Sequence, residues 1–234
     1  MLLLLLKNIL SAPKADRRTE ISALDSSPVE RKADVKSVLN VGGSKQIPIP
    51  SHFVGWKHDL LDIDPRGGPE LVCDARELRT LTGGVYDAVY CSHNLEHYYR
   101  HEGLNVVRGF HHMLNETGFA EIRVPDIAQV MKALRERELD LDDILYQSPA
   151  GPISAHDVVY GLQTEIQESG QDFFAHKTGF TPQSLRKILM DGGFPVVYVS
   201  TSQSVLAVHA LAFKVSPTVE QYALLEYTWN LKSA

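Results

Sequence analysis

Cysteine is nearly absent from this 234-residue chain: Cys73 and Cys91 are the only two. Each ends a short apolar run, so both are expected as buried small hydrophobes rather than as a disulfide or a metal pair. That usage suits a reducing cytoplasm. Positive charge is also scarce. The 23 lysines and arginines are outnumbered by 29 acids, giving a net charge of −6, and no global field draws the protein to nucleic acid or anionic lipid. Long apolar runs are missing too: the opening MLLLLLKNIL is far short of the ~20 residues that span a bilayer. It also lacks the basic start and small-residue cleavage site of a signal peptide. Residues 1–10 are therefore expected to form a short helix packed on the domain or on a neighbouring subunit, in a homodimer, rather than to touch a membrane. No internal repeat is found.

What remains is ordinary globular material, 44% hydrophobic and 22% charged, of a length that suits one α/β domain with an appendage. Residues 1–36 are the appendage. The charged, aromatic-poor stretch SAPKADRRTEISALDSSPVERKADVK has no sustained periodicity and is expected to be an arm or linker. From Ser37 to the end, residues 37–234, the texture changes. SVLNVGG, DLLDIDP, ELVCDA, YDAVYCS and FAEIRVPD are short apolar runs with polar carboxyl ends, the pattern of buried parallel strands. Leu104, Val107, Phe110 and Leu114 form one stripe of a covering helix, with Gly118 as a left-handed cap before the fifth strand. Thr181-Pro182 opens another helix as N-cap and first-turn proline. VVYVSTSQ and VLAVHALAFK, close in sequence, should pair antiparallel. The sum predicts a doubly wound α/β sheet with a reversed edge strand.

In such a sheet ligands bind beyond the carboxyl ends of the strands. The polar clusters fall at those ends: Asn40-Gly42-Gly43, Asp62-Asp64, Asp74-Ala75, Ser92-His93-Asn94 and Pro125-Asp126. A glycine turn lets a ligand approach the backbone. Asp62 follows Gly43 by about 20 residues, the spacing of an acid that accepts ribose hydroxyls, and Asp74 is suited to the amino group of an adenine. These positions describe a bound adenosine. A dinucleotide would need G-x-G-x-x-G opening a helix whose N-terminus faces the pyrophosphate. Here the turn runs on as GGSKQIPIP, and Pro48 and Pro50 forbid a regular helix. S-adenosylmethionine, which carries no phosphate, is the favoured ligand.

Taken in order, VLNVGG, LDIDP, CDARELR, YDAVYCSHNLEH and GFHHMLNETGFAEIRVPD resemble the class I S-adenosylmethionine-dependent methyltransferases. The likeness is nearest to a bacterial type 11 subgroup whose fourth strand ends in Ser-His-x-Leu-Glu-His, and it covers about residues 37–214. The resemblance implies a Rossmann-like seven-stranded sheet with an antiparallel last strand and a helical insert after the fifth strand. It also implies cofactor contacts from Asn40, Gly42 and Gly43, from Asp62 on the ribose, Asp74 and Ala75 on the adenine, and Ser92 and His93 near the sulfonium. The chain departs from the family at Asn40, where members carry an acid, and at Ser44 or Lys45, where they carry a third glycine. It lacks the Asn-Pro-Pro-Tyr tetrapeptide of amino-directed nucleic-acid methylases.

The run CSHNLEHYYRH contains His93-x-x-Glu96-His97, the form of an inverted zinc-peptidase motif. As a zinc site, His93 and His97 would be ligands and Glu96 the base. As a cofactor-edge turn, His93 faces the ligand while Glu96 caps the turn or holds a loop. As neither, the histidines are partly solvated polar residues. Because the run directly follows a buried strand, the cofactor-edge placement is favoured and no metal is expected.

Residues 127–180 form the insert. Its first part, IAQVMKALRERELDLDDILY, has helical texture. The rest supplies Asp157, Tyr160, Phe173, Phe174 and Lys177 as candidate lining for an acceptor pocket; the alternative is a cap that packs or dimerises. Methyl transfer is an in-line displacement dominated by alignment, and an oxygen acceptor gains from a histidine base. His93, His156 and His176 are the candidates, His93 and His156 foremost. The expected activity is methylation of a small molecule or glycan precursor. The rivals are a non-catalytic protein of the same fold that binds cofactor or partner, and an NAD-type oxidoreductase or nucleotide-sugar enzyme.

Overall fold

A computed structural model describes residues 35–148 and 151–229. The expected arm, residues 1–36, lies outside them save for its last two. The short apolar runs become β1 (Ser37–Val41), β2 (Lys57–Asp62), β3 (Leu71–Val72), β4 (Tyr86–Ser92) and β5 (Leu114–Pro125). With β8 (Val196–Ser202) and β9 (Ala207–Phe213) they build a seven-stranded sheet in the order β3-β2-β1-β4-β5-β9-β8. Neighbours from β3 to β5 are parallel, while β9 runs antiparallel to both β5 and β8. The reversed strand is thus the last in sequence, but it is not the edge strand expected. Instead β9 inserts between β5 and β8, because the hairpin folds back onto the vacant side of β5. The fold is a Rossmann-like α/β sheet whose order switches sides at β1.

One face is covered by α1 (Arg100–Met113), α5 (Pro182–Asp191) and the 3-10 segment Ala75–Thr80. Val107 and Phe110 of α1 and Leu185 and Leu189 of α5 are fully buried there. Truncating a residue such as Phe110 to Ala should cost about 3–5 kcal/mol. Leu104, expected inside the stripe, is only half-buried; Val106 and Met113 take up the buried face instead. Thr181 caps α5 as expected, its Oγ1 accepting from Ser184 N at 3.3 Å, with Pro182 in the first turn.

Pro48 and Pro50 have the expected consequence. No α-helix links β1 to β2, only the 3-10 turn Ser51–Phe53. Phe53 from that turn packs near Phe119, 6.1 Å between ring centroids, and Phe119 near Phe213 at 5.5 Å. Leu225 of α6 (Val219–Trp229) closes this second face.

Two further expectations change. Gly118 is not a left-handed cap: α1 passes directly into β5, and the pairing jumps from Tyr86–Leu114 to Ala88–Phe119, so residues 115–118 bulge from the strand. A Cβ on Gly118 would meet the Leu114 side chain, and packing is what selects glycine there. In the insert only α2 (Ile127–Arg137) is helical at the start; Glu138 terminates it with φ 53°. Ile144, expected on a helix, begins the hairpin of β6 (Ile144–Ser148) and β7 (Gly151–Ser154). Two short helices, α3 (Ala155–Tyr160) and α4 (Gln163–Ser169), follow. Cys91 is buried, Cys73 half-buried, and both are free. Among the described residues no helix is long and apolar enough to cross a membrane.

Candidate functional site

The carboxyl ends of the parallel strands and one stretch of the insert enclose a cavity of about 180 Å³. Gly42, just past β1, has φ 68°, a left-handed conformation that glycine adopts without strain, and its N–H donates to Leu61 O at 2.9 Å. A Cβ on Gly42 would collide with the Asn94 side chain, and one on Gly43 with that of Asn40. The space that the glycines leave is therefore shared with two asparagines of the chain itself. The Oδ1 atoms of Asn40 and Asn94 are buried without a hydrogen-bond partner among the described residues, which marks them as acceptors awaiting a donor.

Asp62 ends β2 and lines the cavity. Its Oδ1 accepts from Asp64 N at 2.8 Å. Burial raises its carboxyl above the ordinary range, helped by the charge of Asp64 and opposed by backbone donors. Asp74 caps the 3-10 segment Ala75–Thr80. Burial pushes its carboxyl up, but the hydrogen bonds and charge of Arg76 outweigh that and hold it low. Arg76 spans Asp74 and Glu102, 2.6 Å from each. Ala75 turns its side chain into the hydrophobic core.

His93 follows β4 with φ 52°, an uncommon conformation outside glycine that often marks a working site. Its N–H donates to Arg123 O at 2.9 Å, pinning the turn to β5. The ring lines the cavity, 54% exposed, with Nδ1 3.5 Å from Glu96 Oε1. Burial pushes this imidazole down, and the carboxylate of Glu96 more than reverses it. Glu96 is 1% exposed. Burial pushes its carboxyl up, yet His93, His97 and His176 together hold it below the ordinary value.

The insert reaches this turn through its backbone: Lys177 N and Thr178 N donate to Glu96 O at 2.9 and 3.1 Å. That seats Phe173, Phe174 and Lys177 on the cavity as a roof. Lys177 Nζ lies 3.6 Å from Asp172 and 5.7 Å above the Tyr99 ring. His176, 12% exposed at its side chain, stands behind the roof with Nε2 4.0 Å from Glu96.

Of the residues expected at a site, Gly42, Asp62, Asp74, His93, Phe173, Phe174 and Lys177 border this one cavity. Asn40, Gly43, Ala75 and Ser92 adjoin it without lining it. His156, Asp157 and Tyr160 are elsewhere. The His156 ring packs 4.9 Å from Tyr160, and Asp157 accepts from Ser154 Oγ at 2.6 Å and from Gln163 N at 3.2 Å. Its carboxylate is used to start α3, a Ser154-x-x-Asp157 capping box legible in the sequence. Arg76, Asn94, His97, Tyr98 and Glu102 also line the cavity; Asn94 lies in a strand-end cluster and His97 in the histidine motif, while no sequence pattern marks Arg76, Tyr98 or Glu102. Three of the five, Asn94, His97 and Tyr98, belong to the histidine-rich run. A larger cleft of about 700 Å³ between α1 and α5, with Arg100, Leu104, Phe180 and Lys187 among its walls, contains no strand tip.

No protein-family model matches this chain, and no curated protein matches it. Solved structures similar in fold include a SAM-dependent methyltransferase from Methanosarcina mazei, 13% identical, covering 77% of this chain and 93% of that one with a TM-score of 0.49. Another is a SAM-dependent methyltransferase from Archaeoglobus fulgidus, 16% identical, covering 77% and 87% with a TM-score of 0.47. A third is the 1,6-didemethyltoxoflavin-N1-methyltransferase of Burkholderia thailandensis, solved with 1,6-didemethyltoxoflavin and S-adenosylhomocysteine bound. It is 16% identical, covering 78% and 72% with a TM-score of 0.47. At these identities the likeness is one of fold.

Proposed function

We propose that this chain binds S-adenosylmethionine and is a methyltransferase for a small molecule or a glycan precursor. The observation that carries this is the meeting of Gly42, Asp62 and Asp74, from three separate strand ends, on one cavity. Among the described residues no ion pair involves Asp62, whose carboxylate accepts from Asp64 N and offers further acceptor capacity to a pair of ribose hydroxyls. Asp74 keeps acceptor capacity at the far end, beside Arg76. The orphaned Oδ1 atom of Asn94, at the cavity wall, offers an acceptor for the ammonium of a methionine-like end. An NAD-type reading is disfavoured by the glycine turn, which leads into a 3-10 turn and not into a helix whose N-terminus would cradle a pyrophosphate.

When bound, the cofactor supplies an electrophilic methyl group on a sulfonium. The chain's own part is to hold, align and desolvate. The roof residues Phe173 and Phe174, 4.6 Å apart at their ring centroids, exclude water. His93 accepts the proton of an acceptor hydroxyl at the cavity wall, and the Glu96 carboxylate stabilises the imidazolium so formed. His176 stands close to that pair, and His156 has no place in this scheme.

Calorimetry with S-adenosylhomocysteine and, separately, NAD tests the proposal. Saturable binding of the first alone is expected, and binding of NAD alone would overturn it. Transfer of a labelled methyl group into metabolite pools then separates an enzyme from a protein that only binds the cofactor.

A further inference from the structure

We infer that Glu96, His97 and His176 form a site for one divalent transition-metal ion, zinc by preference, set in the inner wall of the cavity. One ligand atom from each, a carboxylate oxygen and two imidazole nitrogens, all lie within 4.8 Å of one another. Bonds of about 2.1 Å in a tetrahedral arrangement place ligand atoms about 3.4 Å apart. Small side-chain rotations close that gap.

Proximity alone would mean little. The state of the three side chains means more. Glu96 is 1% exposed, and among the described residues neither of its carboxylate oxygens has a hydrogen-bond partner. An ionised carboxylate so buried is strongly unfavourable unless a charge compensates it. The nearest cationic candidates are imidazoles, at 3.5 Å (His93) and 4.0 Å (His176), which are charged only if protonated.

Both other members have one ring nitrogen held by a backbone carbonyl. His97 Nδ1 lies 3.3 Å from Ala175 O, and His176 Nδ1 lies 2.9 Å from Val158 O. A ring nitrogen facing a carbonyl carries a proton, and in the neutral ring that leaves Nε2 as the lone-pair nitrogen. A backbone carbonyl that fixes the tautomer and frees the opposite nitrogen is the usual outer-shell arrangement of a metal-ligating histidine.

The frame is already assembled. Glu96 and His97 sit on the turn after β4, His176 comes from the insert, and the two regions are tied by Lys177 N and Thr178 N donating to Glu96 O. Imidazole nitrogens with one carboxylate suit zinc or its neighbours rather than calcium or magnesium. Three protein ligands leave a coordination position open. His97 lines the cavity, so that position faces the space where substrate would sit. A metal at this site departs from the expectation of no metal. The motif His93-x-x-Glu96-His97 does not act as written: His93, half-exposed, stays outside the triad, Glu96 moves from base to ligand, and the insert supplies the third group. These three ligands gather a metal whether or not the cavity takes S-adenosylmethionine.

The test uses the full, tag-free chain, stripped with a chelator and titrated with Co²⁺ as a coloured substitute for Zn²⁺. One Co²⁺ per chain is expected, with visible d–d absorption that one equivalent of Zn²⁺ abolishes. His176→Ala should weaken zinc at least 100-fold, whereas His101→Ala, at an exposed position of α1, should leave it unchanged. Circular dichroism checks that each variant is folded. The wild-type titration decides even if a variant is not. Absence of stoichiometric Co²⁺ and Zn²⁺ binding by the wild-type chain, or binding that His176→Ala leaves intact, overturns the inference.

Discussion

Asp62 and Asp74 border the same cavity, and their surroundings push the two carboxyls in opposite directions. Burial raises Asp62, whereas Arg76 overrides burial and lowers Asp74. Asp62 therefore has acceptor strength to spare, and Asp74 already shares both oxygens with Arg76.

The two should respond unequally to truncation. Two hydrogen bonds to a charged acceptor are worth about 1.5 kcal/mol each. Asp62→Ala should weaken S-adenosylhomocysteine by about 100-fold. Asp74→Ala should weaken it by less than about 10-fold, because part of that carboxylate's capacity is already committed. Isothermal titration of both variants checks this, and equal losses would contradict the asymmetry.

Gly42 is constrained twice, by its φ of 68° and by the Asn94 side chain where a Cβ would project. Gly42→Ala should destabilise by about 2–3 kcal/mol, of which a left-handed alanine accounts for about 1–2. The remainder is collision. Gly42→Ala with Asn94→Ala should recover about 1 kcal/mol relative to the sum of the single changes, since neighbours couple and distant sites do not. Urea unfolding of the four proteins completes the cycle. Strict additivity would show that Asn94 is not the obstacle.

The cavity, about 180 Å³, is below the ~300 Å³ at which ordinary ligand pockets begin. The roof must shift to admit a ligand and then settle on it. In hydrogen exchange, the amides of Lys177 and Thr178, bonded to Glu96 O, should be moderately protected in the free protein and about 10-fold more protected with S-adenosylhomocysteine. Unchanged exchange across residues 173–178 would remove the roof from the binding site.

The sheet and its strand ends were legible because each parallel strand is a short apolar run closed by polar residues, a local signal. Pro48 and Pro50 announced the missing helix for the same reason. The insert was not legible. The Leu139–Tyr146 stretch alternates acids and apolar residues too briefly to separate helix from hairpin, and the structure uses Ile144 and Leu145 in a strand. Asp157 looked like lining and is a cap, which its spacing from Ser154 already encoded. Glu96 and His176 could not be paired from sequence, since positions 80 apart carry no local mark of their meeting. The buried orphan carboxylate that makes the cluster chemically notable is a tertiary property alone.

His209 gives a pH dependence whose sign is fixed. It faces Arg123 across the β5–β9 pairing. Burial first and the Arg123 charge second push its pKa down to about 4, against a partial pull upward from Glu121. In the unfolded chain the value is about 6.5. A base depressed on folding binds fewer protons in the native state. Its contribution is complete above about pH 6.5 and is lost as pH falls toward 4. From pH 7.5 to 5.0 the loss is about 2 kcal/mol at most, since each tenfold difference in proton affinity between the two states is worth about 1.4 kcal/mol. His209→Gln keeps a polar side chain without a titrating nitrogen. Urea unfolding at both pH values should show the wild type losing about 2 kcal/mol more than this variant, whatever the other histidines add to both. Parallel losses would mean that the proton taken up on unfolding in this range belongs to another group.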